Sequence, residues 1–291
     1  MSFPLTIRNI EKSIDEFHLN IPELTIEEGT ITAFVGTNGA GKSTLFKMMM
    51  NLVKQDHGEI EVLGQPVSGE DDGWKRYIAY HAQTLIGCDP FTGEQLRSLM
   101  AEIYESWDEA LFRRFSEHLN IPLNKKVQKL SPGVKTKLSL ALNLGKNTPI
   151  LILDEPTAAM DIPSRNYFIQ FILELMENGD KTILIASHQA DDIKKLADYL
   201  VFINRGRVSK LLEKDSLAST YRLFWLKEEP PASSIIPGEI KRTYKKVILS
   251  NQPQSTMTYL SQNNMVIVDE QIPELEDIIQ EILIEGEMFD V

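Results

Sequence analysis

The segment Gly36–Ser43 has the residue types and spacing of a phosphate-binding loop. It fits the pattern G-x-x-x-x-G-K-[ST], in which glycines let the backbone present successive N–H groups to phosphate oxygens. The ammonium of Lys42 supplies charge for the β- and γ-phosphates, and the hydroxyl of Ser43 is an oxygen ligand suited to Mg²⁺. The loop predicts that a nucleoside triphosphate and a metal ion are bound by Gly36, Thr37, Asn38, Gly39, Ala40, Gly41, Lys42, Ser43 and Thr44.

Two carboxylates follow an apolar run further along the chain. The run Ile150–Leu153 predicts a buried parallel strand, and ligands bind at the carboxyl ends of such strands. We expect Asp154 to bind the Mg²⁺ held by Ser43, and Glu155 to orient or deprotonate the water that attacks the γ-phosphorus. Acids that only cap the next helix would give the same pattern. The preceding phosphate loop favours the catalytic interpretation.

Two further polar side chains are candidates for this site. His188 comes directly after the strand at 182–186, which is expected beside the strand at 150–153, and this location brings it toward the γ-phosphate. A lone histidine is more often structural, so the prediction depends on that location. Gln83 follows Tyr80-His81-Ala82, and its amide oxygen is suited to a metal or a water. The predicted catalytic set is Lys42, Glu155 and His188, and the predicted metal set is Ser43, Gln83 and Asp154.

The elements that must position these groups alternate between strand and helix. Residues 3–35 and 58–67 have the pattern of short strands joined by turns, and a helical region extends over about residues 84–145. Within it, Asp108 is a candidate cap, and a second helix is expected from Pro132 to Gly145. A helix at about 164–178 joins two buried strands, which is a βαβ unit. The pattern predicts an α/β P-loop NTPase core with an antiparallel β subdomain and a helical subdomain.

Past residue 215 the pattern changes. Residues 230–234 have the composition of a loop, and the final helix has a regular apolar face that Gly286 is expected to end. The strand candidates are Tyr221–Leu226, Lys246–Leu249 and Met265–Val268. Residues 269–291 carry nine acidic residues and no lysine or arginine, which favours a solvated acidic face over a specific cation or partner site. The predicted domains are therefore an ATPase domain at 1–215 and a small C-terminal α/β accessory domain at 216–291.

Composition limits the classes of protein that this chain can belong to. A formal net charge of -12 over 291 residues argues against nucleic acid as the main partner. The one cysteine, Cys88, excludes an internal disulfide and fits a reducing cytosol. No apolar run approaches the roughly 18 residues that cross a bilayer, and the first residues lack the features of a signal peptide. We expect a cytoplasmic protein that reaches a membrane only through a partner.

Residues 3–215 resemble the ATP-binding cassette family, the nucleotide-binding subunits of ABC transporters. The motifs that carry the resemblance are Walker A at Gly36–Ser43, the Q-loop glutamine Gln83, Walker B with its glutamate at Leu151–Glu155, the D-loop at Ala158–Asp161 and the switch histidine His188. The most family-specific segment is Leu130–Val134, which is similar to the Leu-Ser-Gly-Gly-Gln signature.

The resemblance implies a composite ATP site. In this family two cassettes dock head to tail, so Ser131 and Gly133 of one cassette would complete the ATP site of the other through a hydroxyl, N–H groups and a helix N-terminus. Two residues depart from the pattern, because Pro132 replaces a glycine and removes one N–H donor, and Val134 replaces the glutamine. We expect a working site, and the sequence leaves open whether Pro132 slows hydrolysis. Phe17 is the nearest candidate for the aromatic residue that stacks on adenine in this family.

The resemblance also implies a function and partners. It points to an ATP-hydrolysing subunit of a bacterial ABC transporter, pairing with a second cassette and with a transmembrane permease at the inner face of the membrane. The segment Leu99–Phe115 and the C-terminal tail are similar to cassettes that export antibiotics and peptides, which favours an exporter. The alternatives are a soluble ABC ATPase of an assembly system, such as iron–sulfur cluster assembly, and a regulatory cassette that binds ATP without turnover.

Overall fold

The computed structural model describes residues 3–67, 72–177, 179 and 181–285. The chain divides into two compact units, Met1–Leu211 and Leu212–Val291. Each unit has its own sheet and its own buried core.

The first unit contains ten strands and six helices among its described residues. The strands are β1 (Leu5–Ile14), β2 (Phe17–Ile26), β3 (Ile31–Val35), β4 (His57–Val62), β5 (Gln65–Pro66), β6 (Ile78–His81), β7 (Ile150–Asp154), β8 (Thr182–Ala186), β9 (Tyr199–Asn204) and β10 (Arg207–Val208). The helices are α1 (Lys42–Met49), α2 (Gly93–Ile103), α3 (Glu109–His118), α4 (Pro132–Gly145), α5 (Ile162–Met176) and α6 (Ala190–Leu196). The predicted βαβ unit is β7–α5–β8, and the helix expected from Pro132 to Gly145 is α4, whereas the sequence did not predict β6 or α6.

These strands follow the order β5-β4-β1-β2-β10-β9-β3-β8-β7-β6. Strands β1, β2, β4 and β5 pair antiparallel, whereas β9, β3, β8, β7 and β6 pair parallel. Every residue of β3, β7 and β8 is buried, as the continuous apolar runs predict for a sheet covered on both faces. Because the parallel strands end at one edge, the loops after β3, β6, β7 and β8 meet there. That edge holds the predicted site residues.

Side-chain caps fix the starts of the helices in the helical region. The Asp108 carboxylate accepts a hydrogen bond from the Leu111 N–H at 2.9 Å, so the predicted cap of α3 is confirmed. Ser131 caps α4, and Pro132 occupies its first turn, where the missing N–H has no cost. Helix α5 begins two residues before its predicted start because Asp161 caps it, and residue 178 of its predicted end lies outside the described residues.

The second unit is a four-stranded antiparallel sheet with helices. Its elements are β11 (Leu212–Glu213), α7 (Lys214–Thr220), β12 (Arg222–Leu226), β13 (Glu239–Thr243), β14 (Val247–Ser250), α8 (Pro253–Gln262), β15 (Ile267–Gln271) and α9 (Leu275–Glu285). The sheet order is β13-β14-β12-β15, over a core that includes Phe224, Ile248 and Leu260. Gly286, predicted to end α9, lies outside the described residues. The sequence did not predict β13, because this half-exposed edge strand reads Glu-Ile-Lys-Arg-Thr and lacks an apolar alternation.

Candidate nucleotide-binding site

A cavity of about 520 Å³ lies over the loop that follows β3. It collects residues from six separate stretches of the chain: the β1–β2 hairpin, the phosphate loop, the segment after β6, helix α4, the segment after β7 and the segment after β8. The lining residues are Ile14, Phe17, Asn38, Gly39, Gly41, Lys42, Ser43, Thr44, Gln83, Thr136, Glu155, Ala158, Ala159 and His188. Most of the predicted site residues therefore share one cavity.

Lys42 is held by the loop that precedes it. Its side chain is buried, and its Nζ donates to the carbonyl oxygens of Gly36 at 2.7 Å and Thr37 at 3.2 Å. Burial lowers the pKa of Lys42, although the nearby carboxylates of Glu155 and Asp154 oppose that shift. The ammonium is therefore held in the loop by hydrogen bonds to two carbonyl oxygens. An incoming phosphate can take over these donors.

The remaining predicted loop residues act through the main chain. Ala40 is buried, and its N–H donates to the Thr37 carbonyl at 3.1 Å, which closes the turn of the loop. Gly36 lies so close to β9 that an added Cβ would be 2.2 Å from the carbonyl oxygen of Ile203. Gly36, Thr37 and Ala40 do not line the cavity, but they shape the loop that does.

Gly41 and Gly39 offer a matched pair of substitutions. Both have positive φ, +117° and +80°, but an added Cβ at Gly41 would lie 2.7 Å from the ring of Phe17, whereas the space around Gly39 is open. We expect Gly41→Ala to weaken ATP binding more than tenfold. The loop and the Phe17 ring must both shift to admit the methyl group, and the backbone conformation of alanine at this φ adds a strain of about 1–2 kcal/mol. Gly39→Ala carries the strain without the clash and should lose less. Calorimetric titration with Mg-ATP measures both; equal losses would contradict the role of the Phe17 contact.

Ser43, Gln83 and Asp154 come together as the sequence predicts. The Gln83 amide Nε2 lies 3.4 Å from the Ser43 hydroxyl and 3.3 Å from the Asp154 carboxylate. Asp154 is buried at the end of β7, and burial raises the pKa of its carboxyl, while hydrogen bonds from Ser43 and Gln83 and the charge of Lys42 oppose the increase. Because burial disfavours the ionised form of Asp154, a further cation beside this carboxylate would stabilise that form.

The donor set formed by these three residues fits Mg²⁺. A hydroxyl, a carboxylate and an amide offer hard oxygen atoms, and the amide of Gln83 presents its Oε1 once it turns over. Mg²⁺ needs only a few ligands from the protein, because it keeps several waters and also binds substrate phosphates. In the described part of the chain no group of three or more His, Cys, Asp or Glu residues forms a metal cage.

Glu155 and His188 are in direct contact. The His188 Nδ1 lies 2.7 Å from Glu155 Oε2, and both side chains line the cavity. The backbone of Glu155 has φ +52°, an uncommon conformation for this residue type, fixed by its N–H donating to the Ala186 carbonyl at 3.0 Å. If Nδ1–H donates to the carboxylate, a neutral ring leaves Nε2 as an acceptor. In that tautomer Nε2 carries no proton, so His188 donates to a phosphate oxygen only as the imidazolium.

Ser131 and Gly133 do not belong to this cavity. The Ser131 hydroxyl accepts from the Val134 N–H at 3.4 Å, and an added Cβ at Gly133 would lie 2.6 Å from the Ala159 carbonyl. Gly133 therefore packs against the D-loop of its own chain. Thr136, one turn further along α4, does line the cavity.

Four lining residues were not predicted from the sequence: Ile14, Thr136, Ala158 and Ala159. Ile14 pairs with Phe17 at the turn between β1 and β2, and its side chain is 41% exposed. Phe17, the predicted adenine-stacking candidate, lines the cavity together with it.

A parallel sheet whose glycine-rich loop enters a helix, with an acid at the end of a neighbouring strand, defines a P-loop nucleoside triphosphatase. The ABC transporter family model matches residues 19–158. The Nod factor export ATP-binding protein I of Burkholderia lata is 32% identical over 222 residues, which cover 70% of this chain and 69% of that protein. The ABC transporter ATP-binding protein YtrB of Bacillus subtilis is 29% identical over 218 residues, covering 75% and 74%. The chain belongs to the ATP-binding proteins of the ABC transporter family, and it is an ATPase.

Solved structures agree on the fold. An ATP-binding subunit of an ABC transporter superposes with a TM-score of 0.66 at 23% identity, covering 74% of this chain and 92% of that one. A dimeric ATP-binding cassette in a post-hydrolysis state, with ADP and Pi bound, gives 0.61 at 22% identity, covering 72% and 98%. The predicted fold class is therefore confirmed. Among the described helices, none has the length and apolar content needed to span a membrane.

Proposed function

We propose that this chain powers an ABC exporter by hydrolysing ATP between two cassettes that dock on a membrane permease. The observation that carries the proposal is the meeting of Lys42, Ser43, Glu155 and His188 around one cavity, with Gln83 joining Ser43 to Asp154 behind it. These groups supply phosphate binding, metal binding and a base within one site.

Phosphate binding falls to the loop. Its main-chain N–H groups and the N-terminus of α1 face the anion, and Lys42 exchanges its carbonyl partners for phosphate oxygens. Ser43, Asp154 and Gln83 would hold Mg²⁺, and when bound this ion neutralises charge on the β- and γ-phosphates. Ile14 and Phe17 provide an apolar wall of the cavity for the adenine ring.

Glu155 is placed to act on the attacking water. Its carboxylate lines the cavity and is only 10% exposed, so a water held between it and the γ-phosphate is partly shielded from solvent. Its contact with His188 holds the carboxylate in one orientation. Glu155 accepts the proton of the water, and His188 keeps that carboxylate aimed at the reacting atoms.

The second cassette supplies the groups that this cavity lacks. Ser131 and the N–H of Gly133 stand at the start of α4, outside the chain's own cavity, which suits a role across a dimer interface. Nucleotide enclosed between two cassettes adds contacts only in the closed state, so ATP shifts the equilibrium toward closure and hydrolysis reverses it. The segment around residues 84–120 would pass this motion to the permease.

Relatives act in both directions of transport. They include the Nod factor export ATP-binding protein I of Burkholderia lata and a high-affinity zinc uptake protein of Bacillus subtilis. We favour export because of the similarity in Leu99–Phe115 and the C-terminal tail. We also propose that residues 216–291 form an accessory domain, which the separate compact unit beginning at Leu212 supports.

Isolation of the tagged full-length chain from its own membranes tests the transporter assignment. We expect a permease with several spanning segments to co-purify and, after reconstitution in vesicles, ATP added on the cassette side to drive solute away from that side. A soluble scaffold as the partner would instead indicate an assembly ATPase, and movement of solute toward the cassette side would indicate an importer.

A further inference from the structure

His81 is a buried polar residue with no part in the proposed nucleotide chemistry. It is the last residue of β6, its side chain is 1% exposed, and burial lowers the pKa of its imidazole to about 3, so the ring is neutral. Its Nδ1 lies 2.9 Å from the Ser139 hydroxyl, and its Nε2 has no hydrogen-bond partner among the residues that the structure describes. Burying a polar ring with one nitrogen unsatisfied is costly, so the contact it does make requires an explanation.

This contact joins the segment that leads to Gln83, which lines the chain's own cavity, to helix α4, whose first residues are expected to complete the site of a second cassette. His81 stands two residues before Gln83, on a strand whose register places it opposite Leu153, the neighbour of Asp154. Ser139 lies on α4, eight residues after Ser131, which is about 12 Å along a helix axis. One hydrogen bond therefore links the strand that leads to Gln83 with the helix that begins at the signature.

Packing beside this contact is incomplete. A second cavity of about 280 Å³ lies beside the contact, lined among others by His81, Gln83, Thr136 and Ser139. Where side chains interlock, their shape fixes the distance between two elements, but along a cavity there are no side-chain contacts to fix it. The hydrogen bond, which has a required length and direction, supplies the constraint at this place.

We propose that His81 is a positioning residue, whose hydrogen bond to Ser139 sets the position of the signature helix α4 relative to the Gln83 segment. The inference rests on the proposed function, since α4 matters only if Ser131 and Gly133 complete the ATP site of a second cassette. The His81–Ser139 pair then transmits the state of the Gln83 segment to that interface. It has no contact with nucleotide and takes no part in proton transfer.

The test compares His81→Leu with His81→Asn in the full-length chain. Leucine and asparagine have nearly the same shape, but only the asparagine amide can replace the Nδ1 hydrogen bond. We expect His81→Leu to lower kcat about tenfold, the rate equivalent of one hydrogen bond. The KM for Mg-ATP should stay within about twofold, because the phosphate loop is untouched. His81→Asn should restore most of the rate, and Ser139→Ala should match His81→Leu without adding to it.

A distance measurement separates this proposal from the proposed function. Spin labels at the exposed positions Lys54 and Gln128, in a chain with Cys88→Ser, report where the region preceding α4 lies relative to the core. We expect a narrow distance distribution in the parent chain and His81→Asn, and a broad one in His81→Leu and Ser139→Ala. Equal distributions in His81→Leu and His81→Asn would overturn the proposal. A parent chain that fails to hydrolyse ATP would instead overturn the proposed function, and the distances could still be read.

Discussion

Glu155→Gln is expected to lower the rate of ATP hydrolysis by about 10²–10⁴-fold, the usual contribution of a positioned general base. Glutamine keeps the length of the side chain and can still bond His188 across the present 2.7 Å contact, so the cavity should keep its shape. Mg-ATP binding should persist, because Lys42, Ser43 and Asp154 are unchanged. Since ATP binds but is not consumed, the variant should accumulate as an ATP-bound dimer, measured by size-exclusion chromatography with and without nucleotide.

The matched control for Glu155→Gln is Glu105→Gln. Glu105 is exposed in the helical region and does not line the cavity, so removing its charge should leave turnover unchanged. His188→Ala should be slower than the parent, and the double variant with Glu155→Gln should be no slower than Glu155→Gln alone, because His188 acts through that carboxylate. Parent and Glu155→Gln chains with equal turnover under saturating Mg-ATP would show a cassette that binds ATP without cleaving it.

Lys42→Ala is expected to weaken ATP binding by about 10–150-fold, since a hydrogen bond to a charged group contributes roughly 1.5–3 kcal/mol. The loss concerns the polyphosphate, so ATP and ADP should suffer far more than adenosine. Alanine also leaves the carbonyls of Gly36 and Thr37 without their donor, which loosens the loop further. Titration of the full-length chain with each ligand, followed by calorimetry, measures the difference.

The exposed lysine Lys54 provides the control for Lys42→Ala. Lys54→Ala removes the same charge outside the cavity, so any loss it causes measures the general electrostatic contribution alone. Unfolding curves of both variants show whether the fold is intact. A Lys42→Ala chain that is stable and binds ATP as tightly as Lys54→Ala would remove the phosphate loop from the nucleotide site.

Local signals in the sequence predicted the parts of the fold that local physics determines. Apolar runs predicted β7 and β8 because a strand buried on both faces must be apolar throughout. Asp108 and Pro132 each predicted the start of a helix, whose first turn leaves N–H groups unpaired. The Asp108 carboxylate accepts from one of those groups, and Pro132 has no N–H to leave unpaired. Strand β13 was missed for the converse reason, since pairing with β14 forms it and its own residues are half exposed.

The sequence by itself determined the chemistry of the ligand. A lysine and a serine that follow closely spaced glycines predict a phosphate-binding loop, and a carboxylate pair that ends a buried strand is expected at the edge of the sheet where such a loop lies. The phosphate-loop inference is local, because its residues are neighbours in the chain and their spacing restricts their geometry.

Only the tertiary structure decided which distant residues share the cavity and how the site is connected to the signature helix. Ile14, Thr136 and Ala159 line the cavity through the register of the sheet and the packing of α4, neither of which a spacing in the chain encodes. The same holds for the contact of His81 with Ser139, 58 residues apart. The phosphate loop is determined by residues adjacent in the chain, whereas its coupling to the rest of the molecule depends on contacts that form only when the strands and helices pack.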